Sequence, residues 1–305
     1  MDISIIVVNY NTKDLLIDCV RSIYASLRAN RLKAEIIVVD NASSDASVEV
    51  VKNEFSGVRV IENNENHGFA RANNQGIMVA KGRYVLLLNS DTIVLNDCLS
   101  KVLEFADDTP SAGIVGCKVL NPDHSLQFSC FHQPNFLTEL VFFTKTIIKN
   151  FWDPITYFKY MKYWKHNSVK EVAWLSGCFL LIRRNVFDLV GLLEEAYFMY
   201  KEDVEFCYRI RKKTNLKIFY YPYASIIHLK GASSDWDNHS LIKNGYVNTL
   251  MFFQRYYGSA YMVIFDSLCK TIWVFEKFVF FIFSLINRNA QRKFLMLSEL
   301  LKVTI

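Results

Sequence analysis

The chain has 305 residues, 51% hydrophobic, 15% aromatic and 21% charged, with a formal net charge of +5. That balance supports a large core and excludes an intrinsically disordered chain. The basic excess suits anionic phosphates or a lipid surface and is too small to point to nucleic acid.

A strand begins almost at once at Ile3–Val8, with Asp2 ahead of it and no basic n-region. With seven cysteines and no Cys-x-x-Cys pair, the reading is a cytosolic-side protein with free thiols rather than a disulfide framework. Leu15, Leu16, Cys19, Val20, Ile23, Tyr24 and Leu27 recur at a helical period, with Asn11 or Thr12 as cap. A strand Glu35–Val39, a helix Asp45–Phe55, a strand Val58–Ile61, a helix Phe69–Ala80 and a strand Tyr84–Leu88 follow. Strands alternating with helices predict right-handed βαβ units and a mostly parallel sheet.

Beyond about residue 112 the pattern changes to short strands, Ile114–Leu120 and Leu126–Phe131, and an aromatic-rich helical stretch, Phe136–Trp164. A strand Val172–Ile182, a helix Glu202–Lys213 and a strand pair, Ile218–Tyr221 and Ser225–His228, come next. In the tail, Ser259, Asp266, Lys270, Lys277, Ser284, Arg288 and Gln291 fall on one narrow helical stripe in otherwise apolar sequence. Its longest charge-free run at the end, Phe278–Asn287, is far short of the roughly 20 residues of a membrane span. Basic residues on the stripe and Trp273 and Phe beside it predict a helix lying in the bilayer interface. The competing reading is a helix packed on the rest of the chain or on a second subunit.

Five polar clusters lie at predicted strand ends or helix starts. Asn89–Ser90–Asp91 ends the run Tyr84–Leu88, and ligands of open α/β sheets bind beyond such carboxyl ends. A carboxylate there can hold a divalent cation on a pyrophosphate, although a helix cap explains a lone Asp almost as well. Val8-Asn9-Tyr10-Asn11 and Asp40-Asn41-Ala42-Ser43-Ser44-Asp45 end the first two strands on the same edge. Asp40 can accept from a base N–H, whereas turn and cap chemistry is the bland reading, and the one that fits Asp45. The loop and helix start Asn63–Gly76 make an anion site with Arg71 available for a phosphate. Neither a dinucleotide fingerprint nor a Walker A sequence occurs, which weakens dehydrogenase and nucleotidase readings. In Phe198–Glu205, Glu202 and Asp203 open a helix, where they either complement its dipole or supply a general base. His228 ends a strand as a metal ligand, a pyrophosphate contact or a structural histidine. Cys117, Cys130 and His132 lack the close spacing of zinc ligands.

In their order these clusters resemble the inverting family-2 glycosyltransferases with the GT-A fold. The matching segments are Val7-Val-Asn-Tyr-Asn11, Val39-Asp-Asn-Ala-Ser-Ser-Asp45, Asn66-x-Gly-Phe-Ala-x-Ala-Asn-Asn-x-Gly76 and Leu86-Leu-Leu-Asn-Ser-Asp-Thr92. Trp174-Leu-Ser-Gly-Cys-Phe-Leu-Leu-Ile-Arg183, Phe198-x-Tyr-x-Glu-Asp-x-Glu205 and His228 complete the set. The resemblance spans residues 1 to about 235. Asn-Ser-Asp-Thr looks most like the rhamnosyltransferase branch.

The resemblance implies an α/β GT-A fold: a mixed, mostly parallel sheet flanked by helices, with a C-terminal amphipathic helical appendage. The catalytic domain would cover 1–235, with a nucleotide-binding half (1–110) and an acceptor-binding half (111–235), and the membrane-associating segment 236–305. Asp40 would read uracil or thymine, with Val8, Tyr10, Asn41, Arg71, Asn89 and Ser90 also on the donor. Trp174 and Gly177 would border the sugar and acceptor. Asp91 would bind Mg²⁺ or Mn²⁺ and His228 the metal or diphosphate. Asp203 would deprotonate the acceptor hydroxyl, and Glu202 would hold the acceptor. Asn89 departs from the usual Asp-x-Asp by exchanging a carboxylate for an amide. The implied partners are a dTDP- or UDP-linked sugar, a glycan or lipid-linked acceptor of surface polysaccharide synthesis, and the inner face of the cell membrane. Two other readings compete: a catalytically degenerate, membrane-bound sugar-nucleotide-binding protein, and a nucleotidyltransferase, whose Gly-rich N-terminal signature is missing.

Overall fold

In the computed structural model, residues 1–144, 159, 161–229, 238–284 and 288–303 are described. The chain divides into two compact units, Met1–His132 with Trp164–Asp235, and Gln133–Tyr163 with Trp236–Ile305.

The first unit grows from the predicted alternation: β1 (Ile3–Asn9), α1 (Lys13–Asn30), β2 (Ala34–Asp40), α2 (Ser47–Glu54), β3 (Val58–Glu62), α3 (Gly68–Val79) and β4 (Tyr84–Asn89). After β4 come β5 (Thr92–Val94), α4 (Cys98–Asp108), β6 (Ala112–Leu120), β7 (Leu126–Gln127) and β8 (Cys130–Phe131). Among the described residues a ten-stranded sheet runs β3-β2-β1-β4 and continues through later strands, with β1 to β4 all parallel to one another. Near-continuous burial of β1 and β4 suits strands covered on both faces. Ile5, Leu86, Val38 and Val7 meet Leu16, Val20 and Ile23 of α1 in the core.

The second helix is shorter than the predicted Asp45–Phe55. Asp45 stays outside it, accepting from Ser47 N at 3.0 Å and from the Ser47 hydroxyl, while its other oxygen accepts from Lys13 N at 2.7 Å. It therefore serves the starts of both α1 and α2. Burial pushes its carboxyl up, yet the Ser47 and Lys13 hydrogen bonds outweigh that and hold it below the usual value.

Four predicted strands are also altered. Leu126–Phe131 splits into β7 on β6 and β8 on β10 (Trp174–Leu175), following β9 (Lys170–Glu171). Val172–Ile182 also divides, because Ser176–Cys178 leaves the strand and β11 (Phe179–Arg183) inserts antiparallel between β4 and β6. Helices α6 (Asn185–Val190) and α7 (Glu202–Lys213) precede β12 (Lys217–His228), one strand rather than a pair. Its register on β6 shifts between Tyr221 and Ser225, around Pro222, which has no N–H for the ladder.

The second unit contains α5 (Phe136–Thr144), α8 (Asn238–Tyr257), α9 (Ser259–Ser284) and α10 (Arg288–Leu300). Most of the rest of the predicted helix 136–164 lies outside the described residues. Glu139 of α5 and Lys159 form a buried ion pair at 2.7 Å. Trp273 is fully buried and donates to Phe143 O at 3.0 Å. Asp266 of the predicted stripe faces α8: Tyr246 Oη donates to it at 2.8 Å, and Lys270 pairs with it at 2.8 Å. Val263, Ile264, Leu268, Val274, Phe275, Phe278 and Phe281 occupy the opposite, exposed face of α9.

Candidate active site

Strand register brings the first three predicted clusters into one row. Asn9 stands opposite Asp40, and Val8 opposite Asn89, so the tips of β2, β1 and β4 lie side by side. Asn9, which sequence reasoning did not select, joins them. Its amide donates to Asp40 Oδ1 at 2.8 Å and Ser43 Oγ at 3.0 Å, and its oxygen accepts from Thr12 Oγ1 at 2.6 Å. Thr12 Oγ1 also lies 2.9 Å from Ser90 Oγ. Asp40 takes two further bonds, from Ser43 N at 2.8 Å and Ser43 Oγ at 2.6 Å. Its carboxylate is held rigidly at the edge, with lone pairs left for an N–H donor. Asn41 is buried and braces the row, accepting from Asn63 and donating to Gly68 O at 3.2 Å. Tyr10 is exposed, and Val8 is half-buried.

The tip of β4 is built differently. Asp91 is buried, yet neither of its carboxylate oxygens accepts a hydrogen bond, and Asn89 Oδ1 is equally unpartnered. His228 arrives from β12, paired in register with Thr92, and its Nε2 lies 3.2 Å from Asp91 Oδ1. Leu229 N donates to Asp91 O at 2.9 Å and fixes that approach. Gln127, also absent from the sequence prediction, sets the tautomer. Its Nε2 donates to Asn121 Oδ1 and His228 O, which leaves Oε1 to accept from His228 Nδ1 at 2.6 Å. In the neutral ring the proton is then on Nδ1 and Nε2 presents a lone pair beside Asp91, whereas the charged ring would pair with that carboxylate. Buried unpartnered oxygens and a bare imidazole nitrogen form a donor set suited to a divalent cation that shares its shell with a ligand. Among the described residues no group of three or more His, Cys, Asp or Glu side chains forms a metal cage.

The third part carries the acidic pair. Asn89 N donates to Cys178 O at 3.2 Å, and Gly177 N donates to Asp203 Oδ2 at 2.9 Å, so two residues of backbone connect the β4 tip to Asp203. The second Asp203 oxygen accepts from Val204 N at 2.7 Å. Burial raises the Asp203 carboxyl, against the pull of those backbone donors. Burial, and then the charge of Asp203, push Glu202 well above the ordinary carboxylate range, and its Oε2 has no hydrogen bond. Tyr200 and Lys201, just before the pair, both take left-handed backbone (φ 73° and 74°), a strain of about 1 kcal/mol or more each. The Cys178 thiol is pushed up to about 12 by burial and stays protonated, which excludes a thiolate nucleophile there.

Trp174 is half-buried, stacks on Phe131 at 4.1 Å and donates to His132 O at 2.9 Å, a rigid apolar wall. Arg71 is exposed on α3, and among the described residues no hydrogen bond or ion pair joins it to the other candidates.

A mixed sheet whose parallel strands β1 to β4 have polar tips, an antiparallel β11 and an acidic pair opening α7 fit the GT-A fold of nucleotide-sugar transferases. Residues 4–191 match the family described as Glycosyl transferase family 2, and the chain belongs to it. It is similar to the N-acetylglucosaminyl-diphospho-decaprenol L-rhamnosyltransferase of Mycobacterium tuberculosis, 28% identical over 73% of this chain and 76% of that protein. It is also similar to the rhamnosyltransferase WbbL of Escherichia coli, 25% identical over 69% of this chain and 78% of that one. Among solved structures, the mannosyltransferase PcManGT of Pyrobaculum calidifontis, in complex with GDP-Man and Mn²⁺, shares the fold. Its TM-score is 0.56 at 14% identity, over 98% of this chain and 84% of that one.

Proposed function

We propose that this chain moves a sugar, with rhamnose the first candidate, from a dTDP- or UDP-linked donor to a hydroxyl of a glycan or lipid-linked acceptor, with inversion. The observation that carries this reading is the pair of buried, unpartnered oxygen donors, Asp91 and Asn89, two backbone residues away from a raised, anchored Asp203. Asp40 accepts from the pyrimidine N–H, and Asn9 and Ser43 keep it in place. Asp203 takes the proton of the acceptor hydroxyl as its oxygen attacks the anomeric carbon, and the bond to the diphosphate breaks on the opposite side. The raised carboxyl suits that role, because a stronger base draws the proton more effectively. Glu202, protonated over a wider range, donates to the acceptor and orients it. Asp91, His228 Nε2 and Asn89 Oδ1 would hold Mg²⁺ or Mn²⁺, which would offset the charge of the departing diphosphate. Rhamnosyl relatives support the donor choice, and one of them carries a lipid-linked substrate in its name.

We also propose that the protein works on the inner face of the cell membrane. Among the described residues no helix is long and apolar enough to cross a membrane. The exposed apolar face of α9, with Phe275, Phe278 and Phe281, suits insertion into the headgroup boundary.

The first test is nucleoside diphosphate release from dTDP-rhamnose, UDP-hexoses and GDP-sugars, with and without Mn²⁺ or Mg²⁺ and a lipid extract as acceptor source. Metal-dependent turnover of a pyrimidine donor is expected. Replacing Asp203 by Asn should abolish transfer and leave UDP or dTDP binding within about twofold. Wild-type turnover in that variant removes Asp203 from the mechanism, and nucleotide binding without any turnover favours the degenerate binding protein.

A further inference from the structure

The segment between α6 and α7 has no regular structure, yet it delivers Asp203. Residues 191–201 contain left-handed backbone at Gly191, Tyr200 and Lys201, so no ladder of their own fixes their path. Tertiary contacts must do so, and many of them come from one helix, α3.

Asn74 is buried in the middle of that helix. Its amide nitrogen donates to Leu193 O and to Glu195 Oε1, both at 2.9 Å, and its oxygen accepts from Leu193 N at 3.0 Å. One side chain thus takes both backbone groups of Leu193 as a neighbouring strand would, across 119 positions of sequence. Five residues earlier, Phe69 N donates to Phe198 O at 2.8 Å. Gly68 has φ +78°, and a Cβ on it would stand 2.4 Å from that same carbonyl, so only glycine allows the approach. The helix is itself fixed on the donor side. Gly68 O accepts from Asn41, beside Asp40, and Gly76 packs on Ile6 of β1.

We infer that Asn74 is a positioning residue for Asp203: α3 is a strut from the strand tips that bear Asp40 to the loop that carries the base, and Asn74 is its clamp. The inference rests on the reading of Asp203 as the base. A general base must sit within hydrogen-bond reach of the proton it takes, and small displacements are costly in rate. The amide of Asn74 touches no reacting atom and acts through the loop.

The test compares wild type, Asn74→Asp, and the double variant Asn74→Asp with Glu195→Gln. Aspartate keeps the acceptor for Leu193 N, loses both donors and faces the Glu195 carboxylate. The glutamine at 195 returns a donor to that contact. For Asn74→Asp, kcat for nucleoside diphosphate release should fall by roughly thirtyfold, while the Kd for UDP or dTDP with Mn²⁺ stays within about threefold. Amide hydrogen exchange in peptides spanning 192–203 should accelerate by about tenfold and stay unchanged in 34–41. The double variant should recover at least about fivefold of the lost kcat. An unchanged kcat with unchanged exchange in 192–203 overturns the inference, as does equal acceleration across the whole chain, which marks a general loss of stability. If the wild type turns over none of the donors, the enzymatic reading fails separately. The exchange pattern then decides the clamp: acceleration confined to 192–203 upholds it, and its absence overturns it.

Discussion

The carboxylates of Asp40 and Asp91 end strands of the same parallel sheet, yet the chain treats them in opposite ways. Asp40 is braced by three local hydrogen bonds, from Asn9, Ser43 Oγ and Ser43 N. Asp91 is as deeply buried, and neither of its carboxylate oxygens accepts a hydrogen bond. Burying an unpartnered carboxylate costs stability, typically about 1–3 kcal/mol or more for a charged group. The Asp40 tip spends its local bonds on rigidity, and the Asp91 tip keeps its oxygens for something that arrives later.

The comparison breaks most sharply at Asp91. Asp91→Asn should lower turnover by more than about a thousandfold, since the charge proposed to hold a cation beside the diphosphate is gone. Thermal unfolding with added Mn²⁺ gives the companion readout: the wild-type melting temperature rises with Mn²⁺, and the variant's does not. Equal Mn²⁺ shifts in both proteins would detach Asp91 from the metal. Next in size is Gln127→Leu, which strips the acceptor from His228 Nδ1 and frees the ring to change tautomer. The Mn²⁺ concentration for half-maximal activity should rise about 10–100-fold. At the rigid tip, Asn9→Ala removes one donor from Asp40 and the acceptor of Thr12. A loss of about 1–3 kcal/mol in denaturant unfolding and roughly tenfold weaker UDP or dTDP binding are expected, the latter on the scale of one lost hydrogen bond.

The smallest effect concerns Glu202 and pH. Its folded pKa is raised above the unfolded value of 4.5, so the native state holds that proton more tightly than the unfolded chain. The stability it contributes is fully present below pH 4.5 and is lost as pH rises through the folded pKa. Glu202→Gln should flatten that part of the pH–stability profile, seen as a melting temperature that falls less between acid and neutral pH. Parallel profiles for the two proteins would contradict a raised Glu202.

The sheet's polar tips were legible because buried strands read as unbroken apolar runs and their ends as sudden polarity, as at Leu88–Asn89 and Val39–Asp40. Register then aligned clusters that the sequence shows only in succession. Partnerships were not legible. Gln127 meets His228 from 101 residues away and Asn74 meets Leu193 from 119, and neither residue type announces such a bond. Asn9 stood inside a noted cluster, but its inward-facing position is set by pairing with β2, which no local pattern reveals. The Val172–Ile182 run looked like a single strand because hydrophobicity does not record that Gly177 N turns away to Asp203. In the tail, the stripe's helical period was legible, and the partner of its one acidic residue was not. Its Asp266 answers Tyr246, and the apolar side is the one left exposed.

The insertion of β11 between β4 and β6 has a consequence for how the protein is made. In the finished sheet, β4 has β1 on one side and β11 on the other, and β11 lies some ninety residues further along the chain. Until Phe179–Arg183 has left the ribosome, the Tyr84–Leu88 edge has open N–H and C=O groups on an apolar strand, a template for mispairing. The sheet built by the first 110 or so residues therefore cannot be completed before Phe179–Arg183 arrives. A chain truncated near residue 110 is an aggregation hazard rather than a small domain, and the edge stays open while some ninety further residues are made.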